Sequence, residues 1–294
     1  MSESKENKVL ITGAAGMLGS QLLLAVPDGV ETLGTDLREA PGVEALGVDL
    51  TDSSQVARLF RERGPFSGVI HAAAYTAVDK AEEEPELAER INGLACGVLA
   101  GATAQAGIPL VIVSTDFVFD GEASVPYEPR HPTNPLSVYG RTKLSGEQKA
   151  FEAHPDGTRI VRTQWLYGPR GKHFPGTILG LLEERDKVRV VSDQFGSPTS
   201  TLELAPALWD VLLKGSEGIW HATCEGEGSW YDFACATVEF AGIDDREVQP
   251  CSTEEFPRPA HRPPYSVLDC ERLTDLRGAP MAHWRDALKT FLGS

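Results

Sequence analysis

The feature that most constrains this chain is a glycine turn near its start. Val9-Leu10-Ile11 is a short apolar run that leads into Gly13-Ala14-Ala15-Gly16-Met17-Leu18-Gly19, and apolar residues then recur at helical spacing over 17–26. Strand, glycine turn and helix in immediate succession open a βαβ unit. Gly13 lets the chain turn sharply, Gly16 lets backbone approach a pyrophosphate, and Gly19 lets the helix pack tightly on the strand. The helix start, with Met17 and Leu18, offers unpaired N–H groups and a positive dipole end to phosphate oxygens. A glycine-rich turn standing alone is as readily a structural loop, so its context decides.

That context repeats the unit. Further apolar runs occupy 30–35, 45–48, 68–71, 110–114 and 159–163, with helical patterns at 53–62, 85–106 and 138–153 between them. Strands alternating with amphipathic helices predict an α/β fold, a doubly wound parallel sheet of the Rossmann type. After about residue 165, Gly/Pro-rich pieces separate short helices at 174–184 and 230–241. The expected organisation is a dinucleotide-binding domain over 1–165 with a return segment near 187–220, and a mainly substrate-binding region over 166–294.

Charge narrows the partners. The 294 residues carry 43 Asp and Glu against 27 Lys and Arg, a formal charge of -16. Binding to nucleic acid by phosphate neutralisation needs the opposite balance. No apolar run reaches the roughly 18 residues that span a bilayer, so neither nucleic acid nor membrane is expected as a partner. Cys96, Cys224, Cys235, Cys251 and Cys270 are an odd set without metal-ligand spacing, and 1–8 is a polar lead-in without a signal-peptide core. Together they point to a reduced, cytoplasmic protein that binds no metal. The acidic run Glu82-Glu83-Glu84 is expected to be a solvated helix start.

Two carboxylates follow the second and third strands. Asp36 falls where a dinucleotide fold holds a ribose, which favours NAD, whereas Arg38 two residues on offsets repulsion of a 2′-phosphate. The cofactor is therefore NADPH or NADH. Asp49-Leu50 either border the nucleotide or begin a helix N-terminal turn. Tyr139 and Lys143, four apart at a helix start, share one face. An ammonium beside a phenol, together with an oxidised nicotinamide, favours phenolate and lowers its pKa from about 10, forming a proton-transfer unit. Ser114-Thr115-Asp116 end the fifth strand, where open α/β sheets bind ligands.

Glycine turn, strand-end Ser-Thr and Tyr-x-x-x-Lys in this order resemble the extended short-chain dehydrogenase/reductase superfamily. The strings HAAAYTAVDKAEEEPELAERIN (71–92), VSTDFVFDG (113–121), NPLSVYGRTKLSGE (134–147), RTQWLYGPRGKHF (162–174), VVSDQFGSPTS (190–200), GSWYDFA (228–234) and RPPYSVLD (262–269) narrow the resemblance to the dTDP-4-dehydrorhamnose reductase family. It implies NAD(P)H-dependent reduction of the C4 ketone of a dTDP-4-dehydro-6-deoxysugar, dTDP-4-dehydro-L-rhamnose above all. By the same resemblance, Tyr139 is the general acid, Lys143 holds the nicotinamide ribose and lowers the tyrosine pKa, and Thr115 bonds the reacting oxygen. Ala72, Ala73, Ala74 and Thr76 lie along the cofactor, and Trp165-Leu166 lie beside nicotinamide and sugar. Asp116 either contacts substrate or braces the strand end.

The resemblance has departures. Phe117 stands where many relatives have Tyr, and His173 replaces an Asn expected to touch the sugar nucleotide. Gln21 replaces a Glu that some relatives use in a metal-bridged dimer, so neither Mg2+ nor that dimer follows, and the chain is a monomer or homodimer. An acidic protein that binds a diphosphate needs local cations, the candidates being Lys172, Lys187, Arg189, Arg258 and Arg262, with Arg262 matching the family string best. Trp220, Trp230, Tyr231 and Trp284 are expected to be packing residues. A related dehydratase or epimerase is a further alternative, and elimination chemistry is disfavoured because Phe117 occupies the place of the dehydratases' Glu. A non-catalytic subunit resembling the methionine adenosyltransferase β subunit, or a reductase of another nucleotide-linked deoxysugar, are the alternatives.

Overall fold

Alternation of buried side chains along the strands decides the architecture. The computed structural model describes residues 7–293. Its central sheet contains β1 (Lys8–Thr12), β2 (Glu31–Asp36), β3 (Val43–Leu46), β4 (Gly68–His71), β5 (Leu110–Thr115), β6 (Thr158–Thr163) and a closing strand, Gly218–His221. The spatial order is closing strand, β6, β5, β4, β1, β2, β3, and every pair is parallel. Val9, Ile11, Ile70, Val111 and Val161 enter one core, whereas Leu10, Val69, Leu110, Ile112 and Ile160 enter a second on the opposite face. Successive residues of a strand point to opposite faces, so a sheet buried on both sides needs such unbroken apolar runs.

Helices supply the covering layers. α1 (Met17–Leu24) and the helix Thr201–Lys214 place Leu18, Leu22, Leu204 and Leu208 in the first core. α2 (Ser53–Arg63) and the helix Ala95–Ala106 place Val56, Leu59, Leu99 and Ala100 in the second. The strand order reverses between β1 and β4, which opens a crevice at the C-terminal ends of the strands.

Several expectations are corrected. The strand expected at 45–48 is Val43–Leu46 and ends before Gly47, whose φ of +78° turns the chain. The helix expected over 85–106 contains a π turn at Arg90–Leu94 between the α segments Pro85–Glu89 and Ala95–Ala106. Within the return segment expected near 187–220, the strand Lys187–Val191 does not rejoin the main sheet. It pairs with Glu247–Cys251, over a small core of its own that includes Ile178, Val188, Val190 and Ala234. Of the expected lead-in, Lys8 already opens β1, and residues 1–6 lie outside the described residues. All five cysteines are free. Among the described residues no helix is long and apolar enough to cross a membrane.

Candidate active site

The crevice is a cavity of about 1000 Å³ that runs from the glycine turn to the ends of β5 and β6. Gly13 has φ +69°, and a Cβ there would sit 2.6 Å from the Ala73 nitrogen. A Cβ on Gly19 would lie 2.0 Å from the Gly13 carbonyl oxygen, so the third glycine packs the helix on the turn itself. Gly16 is the N-cap of α1 and no side chain caps it. The first-turn N–H groups at Met17 and Leu18, both on the cavity wall, thus remain for an anion. These residues fit the pyrophosphate of a dinucleotide.

Asp36 closes β2 rather than following it, and its carboxylate is already engaged. Oδ2 accepts from the Ala15 N–H at 3.0 Å and Oδ1 from the Arg38 N–H at 2.9 Å, which ties the glycine turn to the end of β2. The Arg38 side chain is largely exposed at the cavity rim, 3.7 Å from the Asp36 carboxylate. Asp49 Oδ1 accepts from the Thr51 N–H and hydroxyl, while Asp52 caps α2, so the helix-entry reading of this stretch describes its contacts. Asp49 and Leu50 still line the cavity, as do Ala72, Ala73, Ala74 and Thr76. His71, almost fully buried on the same cavity, is hydrogen-bonded through Nδ1 to Thr12 at 2.7 Å, and burial, helped by Lys143, pushes its pKa down to about 3.

Thr115, Tyr139 and Lys143 meet at the far end. Tyr139 and Lys143 project from the helix Val138–Ala153, whose N-cap Ser137 accepts from the Gly140 N–H. One face of this helix, four residues beyond Lys143, carries Glu147. Its carboxylate takes Arg162 Nη2 at 2.6 Å and Nε at 3.0 Å, together with the Ser114 hydroxyl. This buried cluster clamps the helix against β5 and β6 and fixes where Tyr139 and Lys143 stand. At the helix start, Glu82 accepts from the Val138 N–H, so the acidic run is not merely solvated. Asn92, inside the π turn, bonds Tyr75 through both its amide atoms and reaches Thr142, joining the Tyr75 loop to the same helix.

The electrostatics differ from expectation. Lys143 is buried and donates to the Val113 carbonyl at 2.7 Å, and burial lowers its pKa. Burial pushes the Tyr139 phenol up to about 12, against an opposing hydrogen bond with Thr115. Lys143 therefore does not pull the phenol down here, because desolvation dominates both groups. Burial likewise pushes the Asp116 carboxyl up to about 6 against the hydroxyls of Ser266 and Thr115. Thr115 donates to Asp116 Oδ1 at 3.0 Å and accepts from the Phe117 N–H. The Phe117 ring meets Tyr139 edge-on, with centroids 5.5 Å apart.

A family model for the RmlD substrate binding domain matches residues 7–294. The chain belongs to this family. A dTDP-4-dehydrorhamnose reductase of Streptomyces griseus is 41% identical over 296 residues, 98% of this chain and 94% of that one. A probable dTDP-4,6-dihydroxy-2-methyloxan-3-one 4-ketoreductase of Streptomyces antibioticus is also 41% identical, over 95% of this chain and 92% of that one. The crystal structure of a Bacillus anthracis dTDP-4-dehydrorhamnose reductase in complex with NADP superposes with a TM-score of 0.90 at 36% identity, covering 97% and 98% of the two chains.

Within this RmlD-type fold the remaining expected residues divide. Asp116, Phe117, Trp165 and Arg262 border the cavity, as does Lys172. Arg262 is not a free cation: Nη1 lies 2.9 Å from Asp79 Oδ1, and Arg258 lies 3.7 Å from the same carboxylate. Burial raises the Asp79 pKa, but the two arginines outweigh it and the net shift is down. Two cations on one carboxylate leave one positive charge at the rim. His173 does not reach the cavity wall; its Nδ1 accepts from the Gly176 N–H and caps the helix Phe174–Glu184. Lys187 and Arg189 pair with Glu247 and Glu255 on the small sheet.

Trp165 and Trp230 form a wall that packing arguments alone did not place. Their rings stack with centroids 3.8 Å apart, and Trp165 adopts φ +49°, a left-handed conformation costing about 1 kcal/mol for such a residue. Sequence reasoning also missed Glu82, Asn92, Glu147 and Gln164 as contributors. A signal existed for Glu147 alone, since it continues the four-residue spacing of Tyr139 and Lys143 along one helix face.

Proposed function

We propose that the protein is a nucleotide-sugar 4-ketoreductase that reduces dTDP-4-dehydro-L-rhamnose, or a closely related dTDP-4-dehydro-6-deoxysugar, with NADPH or NADH. The observation that carries this reading is the single cavity joining an uncapped glycine-turn helix to the Thr115, Tyr139 and Lys143 set. Its match with the NADP-bound relative supports the cofactor assignment. Residues 1–165, with the helix Thr201–Lys214 and the closing strand, form the dinucleotide half, and most of the chain after 166 forms the wall that receives the nucleotide sugar.

The cofactor, when bound, supplies hydride to the ketone carbon. Tyr139 gives its hydroxyl proton to the ketone oxygen as charge develops there. A phenol with a pKa of about 12 is fully protonated at neutral pH, the form a donor needs. The Thr115 hydroxyl turns from Asp116 to the same oxygen and gives a second hydrogen bond. Lys143, anchored on Val113 by one N–H, has two more donors for ribose hydroxyls. The arginine pair on Asp79 and Lys172 oppose the negative charge of the diphosphate.

Consumption of NADPH or NADH with dTDP-4-dehydro-L-rhamnose tests the reading, with Tyr139→Phe measured alongside. The expected loss in the variant is about 10² to 10⁴ in kcat with cofactor affinity retained. No turnover by the cofactor-bound wild type rejects the reductase; full activity in the variant rejects Tyr139 as the acid.

A further inference from the structure

Three chain segments converge at the inner end of the cavity and leave polar atoms without partners. Asp116 leaves β5, Gln164 leaves β6, and Ser266 lies on the C-terminal segment, all three almost fully buried. Ser266 Oγ donates to Gln164 Oε1 at 3.0 Å. That contact leaves Nε2, with its two N–H donors, and the structure gives it no partner. Asp116 spends Oδ1 on Thr115; the Ser266 hydroxyl lies near the same carboxylate but gives its proton to Gln164, and Asp116 Oδ2 has no partner. Both residues belong to the cavity wall.

The amide is also held from behind. A Cβ on Gly196 would lie 2.4 Å from Gln164 Oε1 and 2.7 Å from Trp165 Cε2, so bare backbone packs directly against the carboxamide and the indole. A buried donor and a buried acceptor without partners, on residues that line a cavity, are costly unless a ligand completes them. A phosphate is a poor candidate, because the adjoining carboxylate repels it. A sugar hydroxyl suits both: its oxygen accepts from an N–H while its hydrogen is given to a carboxylate.

We propose that Gln164 and Asp116 form a subsite for a ring hydroxyl beside the reacting ketone, with Gln164 the specificity-determining donor and Ser266 the residue that positions its amide. This rests on the reductase reading. Asp116 touches Thr115, so a sugar gripped there has its carbonyl within the reach of Thr115 and Tyr139. A nucleotide diphosphate without a sugar gains nothing from this subsite.

The test compares dTDP with dTDP-L-rhamnose by calorimetric titration of the NADP-loaded protein. Gln164→Met, near in size but without hydrogen-bonding groups, is expected to weaken dTDP-L-rhamnose about tenfold while dTDP and NADPH stay within about twofold. Ser266→Ala should move the same difference in the same direction by about threefold. Gln164→Asn, which keeps the amide but withdraws it from Ser266, provides a second variant if the first does not fold, with the same sugar-selective loss expected. Equal weakening of dTDP and dTDP-L-rhamnose, unchanged affinity for both, or no sugar-dependent gain in the wild type would overturn the proposal. Failure of the wild type to oxidise NADPH with the ketosugar would reject the reductase reading instead, and the two results are read separately.

Discussion

The Glu82 carboxylate accepts a hydrogen bond from the Val138 N–H at 2.8 Å, at the first turn of the helix that carries Tyr139 and Lys143. Ser137 satisfies another orphan N–H of that turn, at Gly140. An anion at a helix N-terminus gains from the dipole as well as from the bond. Glu82→Ala is expected to cost about 1 kcal/mol of stability and to lower kcat severalfold, with little change in the KM for NADPH. Glu82→Gln, which keeps an acceptor oxygen, should retain most of the activity. Thermal unfolding and steady-state kinetics check both, and wild-type values in the alanine variant would exclude this role.

Asp116 makes the site sensitive to rising pH. Its pKa in the folded protein is about 6 against about 3.8 when exposed, so between these values the folded state holds the proton more tightly. Stability is thus lost as pH rises from about 4 to 6, by an amount on the order of 2–3 kcal/mol. Asp116→Asn cannot ionise. The variant should be more stable than wild type at pH 7.5, and the gain should shrink toward pH 4. Denaturant unfolding at the two pH values decides it; a difference independent of pH would show that the carboxyl is not buried as described.

Two buried histidines act in the opposite sense. Burial pushes both His71 and His221 down to about 3, with Lys143 and Arg162 respectively adding to it. The unfolded chain takes up these protons below about 6.5 while the folded one does not, so stability present above that pH is lost as pH falls toward 3. His221 packs edge-on against Phe119, away from the cavity. His221→Leu should therefore flatten the acid limb by about 1.4 kcal/mol per pH unit between pH 4 and 6, the contribution of one proton. Parallel acid limbs in the two proteins would refute it.

The sheet was legible because its signals are local. Apolar runs of buried parallel strands and the Gly13-Gly16-Gly19 turn are written in consecutive residues, and the motif order placed Thr115, Tyr139 and Lys143 on one cavity. What escaped depends on distant partners. Nothing near Gln164 shows that Ser266 and Gly196 will bracket its amide, and nothing near Glu82 shows that Val138 will stand opposite. His173 was misplaced for the related reason that helix capping competed for its imidazole. Spacing reports the proximity of Tyr139 to Lys143 but not the burial of both groups, which pushes the phenol up and the ammonium down.

The choice of cofactor turns on Asp36, whose two carboxylate oxygens hold the Ala15 and Arg38 N–H groups. A carboxylate so placed braces the glycine turn for either dinucleotide, yet it opposes a 2′-phosphate and favours a free ribose hydroxyl. Asp36→Ala removes the brace and the repulsion together and leaves Arg38 without its acidic neighbour. NADH affinity is expected to fall about tenfold, about 1.4 kcal/mol. For NADPH the loss of the brace is offset by the lost repulsion and by an arginine available to the phosphate. The ratio of the two dissociation constants should therefore shift about tenfold toward NADPH, measurable by quenching of tryptophan fluorescence. Equal weakening of both cofactors would mean that Asp36 is only a brace, and that the choice between them is made elsewhere on the rim.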